Sequence, residues 1–566
     1  MRPPVIAFCV IALSVAVTYG QVGAEWWQTM SLYQIYPRSF KDSTGDGVGD
    51  LKGIIKKLHH LIATEVDAFW LSPIYPSPMV DFGYDISDFR GIDPVFGTME
   101  DFEDMVKDAH GMSLKVILDF VPNHSSDQHE WFQKSLQNIH PYSDYYVWHE
   151  GRVLDGSIVP PNNWVSVFGG PAWTWSDERQ AFYLHQFAPE QPDLNYNNEH
   201  VVTEMKNVMR FWLNKGVDGF RVDAIPHLCE NGQFLDEPLT GSTHNPDSYG
   251  YTEKIYTKDQ PQTYEIVRGW RKVLDEYYGK VMMMEAYSNM SMTMQYYKAG
   301  ANFPFNFGMI SKLDANSKAS DVKELIDEWM RSMPAGSTAN WVAGNHDKSR
   351  LVTRFGEDRA RAITLLTLLL PGVGVTYNGE EIGMEDTWIS WDETKDPQGC
   401  NAGKDGYEAA SRDPARTPYQ WDNSVSAGFS HNEQTWLPVN GNVKTVNLAA
   451  EKKYPYSYYI FYKMIAQLRR TPMVRKGNLV TVLLNKNVLG IARETEHDGS
   501  VYAIINFGSE EETVDLSAAF DNVSDQLNLY YATVCTDFCP GSIVKDVQKI
   551  RITKSGVMVF IKPQWV

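Results

Sequence analysis

Val217-Asp-Gly-Phe-Arg-Val-Asp-Ala224 places an arginine and an acid inside a short apolar run. Phe220 and Val222 alternate with Arg221 and Asp223, a period of two that reads as a strand with both charged side chains on one face. A charge embedded in an apolar strand is costly unless it is paired or functional. One such residue is ordinarily a structural ion pair. Three further strand-like runs, however, lead into Asp119-Phe-Val-Pro-Asn-His124, Glu285-Ala-Tyr287 and Asn345-His-Asp347. Four strand ends carrying acids with Arg and His companions match a parallel barrel, in which chemistry collects at the C-terminal ends of the strands.

The remaining strands are found by working outward. Short runs rich in β-branched and aromatic residues recur at Leu32–Tyr36, Val66–Leu71, Leu114–Val121, Val217–Val222, Val281–Met284, Phe303–Phe307, Trp341–Ala343 and Gly374–Tyr377. Amphipathic helical patterns lie between several of them, as at Leu51–Ile62, Met99–His110 and Val201–Asn214. Eight strands with intervening helices predict an α/β fold, a (β/α)8 TIM barrel. Residues 122–200 interrupt the rhythm, being rich in Trp, Tyr, Pro, Asn and Gly without helical periodicity, and predict an irregular domain inserted after the third strand. From residue 476 to 566 short alternating segments predict a C-terminal antiparallel β-sandwich. The barrel is thus divided into residues 21–121 and 201–475.

Composition excludes several partners. The 566 residues include 51 Lys and Arg against 71 Asp and Glu, a formal charge of −20 that repels nucleic acid and anionic membranes. With 43% hydrophobic residues the chain is too apolar to be disordered. Residues 1–20, with Arg2, an apolar run from Val5 to Val17 and a small-residue exit, predict a secretory signal peptide. No other apolar run reaches 18 residues, so no membrane span is expected and the mature protein should be secreted and extracellular. After loss of Cys9 four cysteines remain; Cys535 and Cys539 suit a local disulfide, which leaves Cys229 with Cys400. Glycosylation sequons stand at Asn123, Asn289 and Asn522, the first discounted because it falls in a loop expected to be buried. The oligomeric state is left open.

These strand-end segments, in this order, resemble the four signature regions of the α-amylase superfamily, glycoside hydrolase family 13. Gly372-Val-Gly-Val-Thr-Tyr-Asn-Gly-Glu-Glu381 extends the likeness. Gln191-Pro-Asp-Leu-Asn195 and Ser411-Arg-Asp-Pro-Ala-Arg-Thr-Pro-Tyr-Gln-Trp421 are similar to the oligo-1,6-glucosidase and α-glucosidase branch, and the overall wording resembles secreted insect maltases. The resemblance implies Asp223 as nucleophile, Glu285 as general acid and base, and Asp347 as a third carboxylate that tightens on the sugar hydroxyls in the transition state. Arg221 would hold Asp223 ionised, and His124 and His346 would donate hydrogen bonds to the sugar ring. Asp81 would grip the terminal glucose and Tyr84 form its platform. Arg416 would close the pocket, with Arg412 competing for that role. Phe168, Phe187 and Gln191 would line the wall, while Asp119 and Asn123 brace the third loop. The activity implied is an exo-acting, retaining α-glucosidase for small sugar substrates.

Ala224, the residue after the nucleophile, is small where α-1,6-cleaving members of that branch tend to have Val, so maltose, short malto-oligosaccharides and sucrose are expected. A sucrose-isomerising or transglucosylating enzyme is the near alternative, an endo-acting amylase a further one, and a non-catalytic binding homologue the remote one. The first loop, Asp42-Ser-Thr-Gly-Asp-Gly-Val-Gly-Asp50, offers the oxygens of Asp42, Thr44, Asp46, Val48 (carbonyl) and Asp50, a hard set on a glycine-flexed loop that suits Ca²⁺. Gly53 stands where an EF-hand needs Glu, and a solvated acidic turn is the plainer alternative.

Overall fold

Eight parallel strands form one sheet in this computed structural model, which describes residues 25–535 and 537–562; the signal-peptide reading lies outside those residues. In chain order the strands are Ser31–Ile35, Ala68–Leu71, Lys115–Phe120, Gly219–Val222, Val281–Met284, Phe303–Pro304, Asn340–Val342 and Val373–Tyr377. Each pairs with its neighbour in sequence, except that the first pairs with the eighth and no ladder joins the sixth to the seventh among the described residues. There the Asn340 side chain bridges instead: its Nδ2 donates to the Pro304 carbonyl and its Oδ1 accepts from the Asn306 N–H, both at 2.7 Å. The (β/α)8 barrel expected from the periodicities is the fold observed.

The helices pack outside because their apolar residues recur on one stripe. Leu51–Ala63 buries Leu51, Ile54, Leu58 and Leu61, spaced three and four apart, each contributing roughly 1.5–3 kcal/mol of burial. Asp50 starts that helix by accepting from the Gly53 N–H at 2.7 Å. Met99–Gly111 begins with a capping box of Thr98 and Asp101. Register then sets the chemistry. The third and fourth strands pair with Asp119 opposite Arg221, and the fourth and fifth with Arg221 opposite Met283, so charged residues from neighbouring strands meet at one level.

Between the third strand and the helix Glu199–Asn214 the chain is less irregular than predicted. It contains a three-stranded sheet of Trp148–His149, Ala181–Leu184 and Trp173–Ser176, and a hairpin of Arg152–Leu154 with Ser157–Val159. Strands of two to four residues carry too little periodicity to be seen in sequence. Trp164, Trp173, Phe182 and Leu184 give this segment its own core. At the C-terminal end a six-stranded antiparallel sheet from Asn478 to Lys562 faces a two-stranded one, Glu512–Val514 with Ile550–Ile552, over Val488, Tyr502, Leu529 and Phe560.

Cys535 and Cys539 are bonded to each other. The expected Cys229–Cys400 bridge is not formed: Cys229 is buried in the hydrophobic core, Cys400 is exposed on the helix Pro397–Asn401, and both are free. Pairing by elimination ignores where the fold puts each thiol.

Candidate active site

Arg221 is the centre of the strand-end cluster, and its side chain is 1% exposed. Nη1 lies 2.8 and 3.0 Å from the two oxygens of Asp119 and 2.5 Å from Asp223 Oδ1, while Nη2 lies 2.7 Å from Glu285 Oε1. One guanidinium therefore faces three carboxyls. Asp223 and Glu285 are thereby held side by side on the two Nη nitrogens of one arginine. Burial raises Asp223 well above the ordinary carboxylate range, opposed by Arg221 and reinforced by Glu285 and Asp119. Burial likewise raises Asp119 to about 6 against the pull of Arg221. The Ala224 N–H donates to Glu285 Oε2 at 2.9 Å, and Ala224 adopts φ 46°, a left-handed backbone held as the chain leaves the strand.

A cavity of about 360 Å³ opens above these acids, within the size range of small-ligand sites. Asp223, Glu285 and Asp347 line it together with Asp81, Tyr84, His124, Phe168, Phe187 and His346. Tyr84 is clasped from two sides. The His346 ring stacks on it with centroids 5.4 Å apart and planes within 4°. Burial keeps His124 and His346 neutral, lowered to about 4 and about 3. Gln34 Nε2 can only donate to His346 Nδ1 (2.8 Å), so His346 Nε2–H donates to the Tyr84 hydroxyl (2.8 Å), which in turn donates to Asp119 Oδ2 (3.1 Å). His124 Nε2–H donates to the Tyr84 carbonyl at 3.1 Å. Both histidines line the cavity, and these ring nitrogens hold its aromatic platform.

The alpha amylase catalytic-domain family matches residues 34–477. The chain belongs to the α-amylase family. Over 565 residues it is 56% identical to an alpha-glucosidase of Apis mellifera, covering 98% of each chain. It is 45% identical over 580 residues to maltase A1 of Drosophila melanogaster, covering 99% of this chain and 100% of that one. Among solved structures it is similar to the alpha-glucosyl transfer enzyme XgtA, with 32% identity, a TM-score of 0.84, and coverage of 95% and 100%.

Within this α-amylase-family pocket some residues lie deeper than the sequence suggested. Arg416 is fully buried and does not line the cavity; its Nη2 pairs with Asp347 Oδ1 at 2.9 Å and its Nε donates to the His346 carbonyl at 2.8 Å. Arg412 is the arginine at the wall, with Nη2 2.7 Å from Asp81 Oδ1 and Nη1 3.3 Å from Asp347 Oδ1. Gln191 is also behind the wall, donating to Asp81 Oδ2 at 3.3 Å and accepting from the Ala188 N–H. Burial would raise Asp347, but the guanidiniums of Arg412, Arg416 and Arg221 outweigh it and hold this carboxylate well below its ordinary value. Asp347 is therefore ionised, whereas burial pushes Asp223 the other way. Sequence reasoning missed Tyr287, which lines the cavity, stacks on Phe307 with centroids 4.1 Å apart, and accepts from Asn345 Nδ2 at 3.0 Å. Its position two residues after Glu285, on the same strand end, was the available signal.

The first loop folds onto itself. Asp42 accepts from the N–H groups of Thr44, Gly45 and Gly47 and from the Ser430 hydroxyl at 2.5 to 2.9 Å. Asp50 accepts from Ser43 N–H and Oγ besides capping Gly53. Asp46 is exposed and accepts from the Val48 N–H at 2.9 Å. Among the described residues no three acidic, His or Cys side chains are gathered as a metal site.

Proposed function

We propose that this protein is a secreted, exo-acting, retaining α-glucosidase that releases α-glucose from the non-reducing end of maltose, malto-oligosaccharides and sucrose. The observation that carries the reading is the placement of Asp223 and Glu285 on one guanidinium, that of Arg221, in a small cavity also lined by Asp81, Asp347 and Arg412. Two carboxyls held by one guanidinium support the close spacing of a double displacement over the about 6.5–9.5 Å separation that an inverting pair needs to hold its water. Asp223 attacks the anomeric carbon as Glu285 passes its proton to the leaving oxygen; a β-linked glucosyl ester forms and the aglycone departs. Glu285 then takes a proton from water, which attacks the same carbon from the opposite face and returns the α configuration. Arg221 keeps both carboxyls in place and carries positive charge through each step. Asp347, ionised throughout, accepts sugar hydroxyls and stabilises the cationic ring.

Arg412 and Phe168 narrow one side of the cavity, which favours a chain end over a chain interior and supports exo action. The names of the alpha-glucosidase and maltase relatives support the same substrate class, whereas XgtA keeps glucosyl transfer as the second reading. Incubation with maltose, sucrose, isomaltose and starch, with product anomers followed by NMR, tests both. Release of β-glucose overturns the mechanism, and products dominated by new disaccharides favour transfer.

Three further proposals rest on narrower support. Secretion follows the residues 1–20 pattern and is tested by recovery from culture medium. Asn289 and Asn522 are exposed glycan acceptors and Asn123 is buried, which a glycosidase-sensitive mass shift checks. Calcium at Asp42–Asp50 is supported by the ligand pattern alone; it requires a Tm that falls with a chelator and recovers with calcium, and an unchanged Tm removes it.

A further inference from the structure

Asp396 does not line the cavity, and its side chain is 0% exposed. It forks onto Arg412: Nε lies 3.0 and 3.1 Å from the two Asp396 oxygens and Nη2 lies 2.5 Å from Oδ1. The Arg412 backbone N–H donates to Oδ2 at 2.7 Å. A carboxylate forked on one edge fixes the plane of a guanidinium. The adjoining Nη1–Nη2 edge, which shares Nη2 with that fork, then spans Asp81 and Asp347, and the Arg412 Cζ lies 5.1 Å from the Phe168 ring centroid. Asp396 is itself anchored, because the N–H groups of Lys395 and Asp396 both donate to Asp413 Oδ2 at 2.7 and 3.0 Å. A buried chain of contacts thus runs from Asp413 through the 395–396 backbone and Asp396 to Arg412 at the pocket wall.

We propose that Asp396 is a positioning residue: it holds Arg412 so that the guanidinium touches Asp81 through one nitrogen only and leaves Asp81 Oδ2, which accepts from Gln191 Nε2 at 3.3 Å, with a lone pair for a sugar hydroxyl. Neutralising Asp396 frees the Nε edge. Arg412 then forks onto Asp81, occupies both of its oxygens and competes with the sugar. The inference rests on the α-glucosidase reading for the identity of that sugar. The plainer role for Asp396 is structural, as the cap of the helix Pro397–Asn401, where it accepts from the Gln398 N–H at 3.4 Å.

The test measures maltose hydrolysis and calorimetric glucose binding for the wild type, Asp396→Asn, Asp396→Glu, Arg412→Gln, Arg412→Lys and the Asp396→Asn/Arg412→Gln pair. Positioning predicts KM about tenfold higher in Asp396→Asn with kcat within about twofold, partial rescue in Asp396→Glu, a matching KM defect in Arg412→Lys, and less than a twofold further change when Asp396→Asn is added to Arg412→Gln. Glucose affinity falls in parallel. Independent, multiplying effects of the two substitutions, or a KM and glucose affinity unchanged in Asp396→Asn, overturn it. Should Asp396→Asn not fold, Arg412→Lys decides by the same KM and glucose criteria. Wild-type protein that binds glucose without cleaving any α-glucoside defeats the functional reading while the binding arm still decides this one; wild type that does neither defeats both.

Discussion

Asp119, Asp223 and Glu285 at the strand ends and Asp42, Asp46 and Asp50 in the loop after the first strand are two trios of acids on one side of the barrel, and their surroundings push Asp119 and Asp223 one way and Asp42 the other. The strand-end carboxyls are buried around a single guanidinium, so burial and mutual repulsion raise Asp223 and Asp119. In the loop, burial raises Asp42 as well, but the Ser430 hydroxyl and three backbone N–H groups outweigh it and lower the carboxyl. Donors outnumber charges in one trio and charges outnumber donors in the other. The first arrangement stores a proton that can be used; the second stores a folded loop.

The largest effect that separates the trios should come from Asp223→Asn, which removes the attacking oxygen and is expected to lower kcat on maltose by about 10⁴-fold or more while far-UV circular dichroism stays unchanged. Asp42→Asn should leave kcat within about twofold. Next in size, Arg221→Met leaves three buried carboxyls without a counter-charge and should cost about 3–5 kcal/mol in chemical denaturation at pH 7, with the loss shrinking as acid protonates the trio. The pH dependence sharpens the contrast. Asp119, raised from 3.8 to about 6, holds a proton that the unfolded chain releases, so stability should fall as pH rises from about 4 to 6, and Asp119→Asn should flatten that slope. Asp42, lowered from 3.8, contributes stability that is present above that value and lost as pH falls below it; Asp42→Asn should flatten the acid limb instead. Smallest is Ser430→Ala, which removes one donor to Asp42 and should cost about 1 kcal/mol, seen as a shift in denaturation midpoint with kinetics unchanged.

The strand-end trio was legible because strands impose a period of two and end abruptly, so Arg221 and Asp223 show their common face in the sequence itself. Register did the rest: Asp119 meets Arg221 because the third and fourth strands pair in step, and a pairing across a long insertion is invisible in one sequence. The pocket wall was less legible. Arg412 and Arg416 sit in one motif four residues apart, and only the turn between them decides that Arg412 reaches the cavity while Arg416 braces Asp347. Asp396 had no signal, since it lies 16 residues from Arg412 on a chain with no period. The free pair Cys229 and Cys400 failed for a related reason: cysteine counting carries no distance.

The amide of Asn340 has a consequence for how the barrel opens. Around most of its circumference the cylinder is sealed by backbone ladders, which share strain over many bonds. Pro304 has no N–H to offer, and between the sixth and seventh strands the closure described is one side chain with two hydrogen bonds. The cylinder therefore has a seam. Thermal fluctuation and amide exchange should enter there first, at residues 303–306 and 340–342, on the far side of the ring from the Asp119–Arg221 contact. A fold closed in this way can loosen locally at the seam while the contacts of Asp119, Arg221 and Asp223 stay locked.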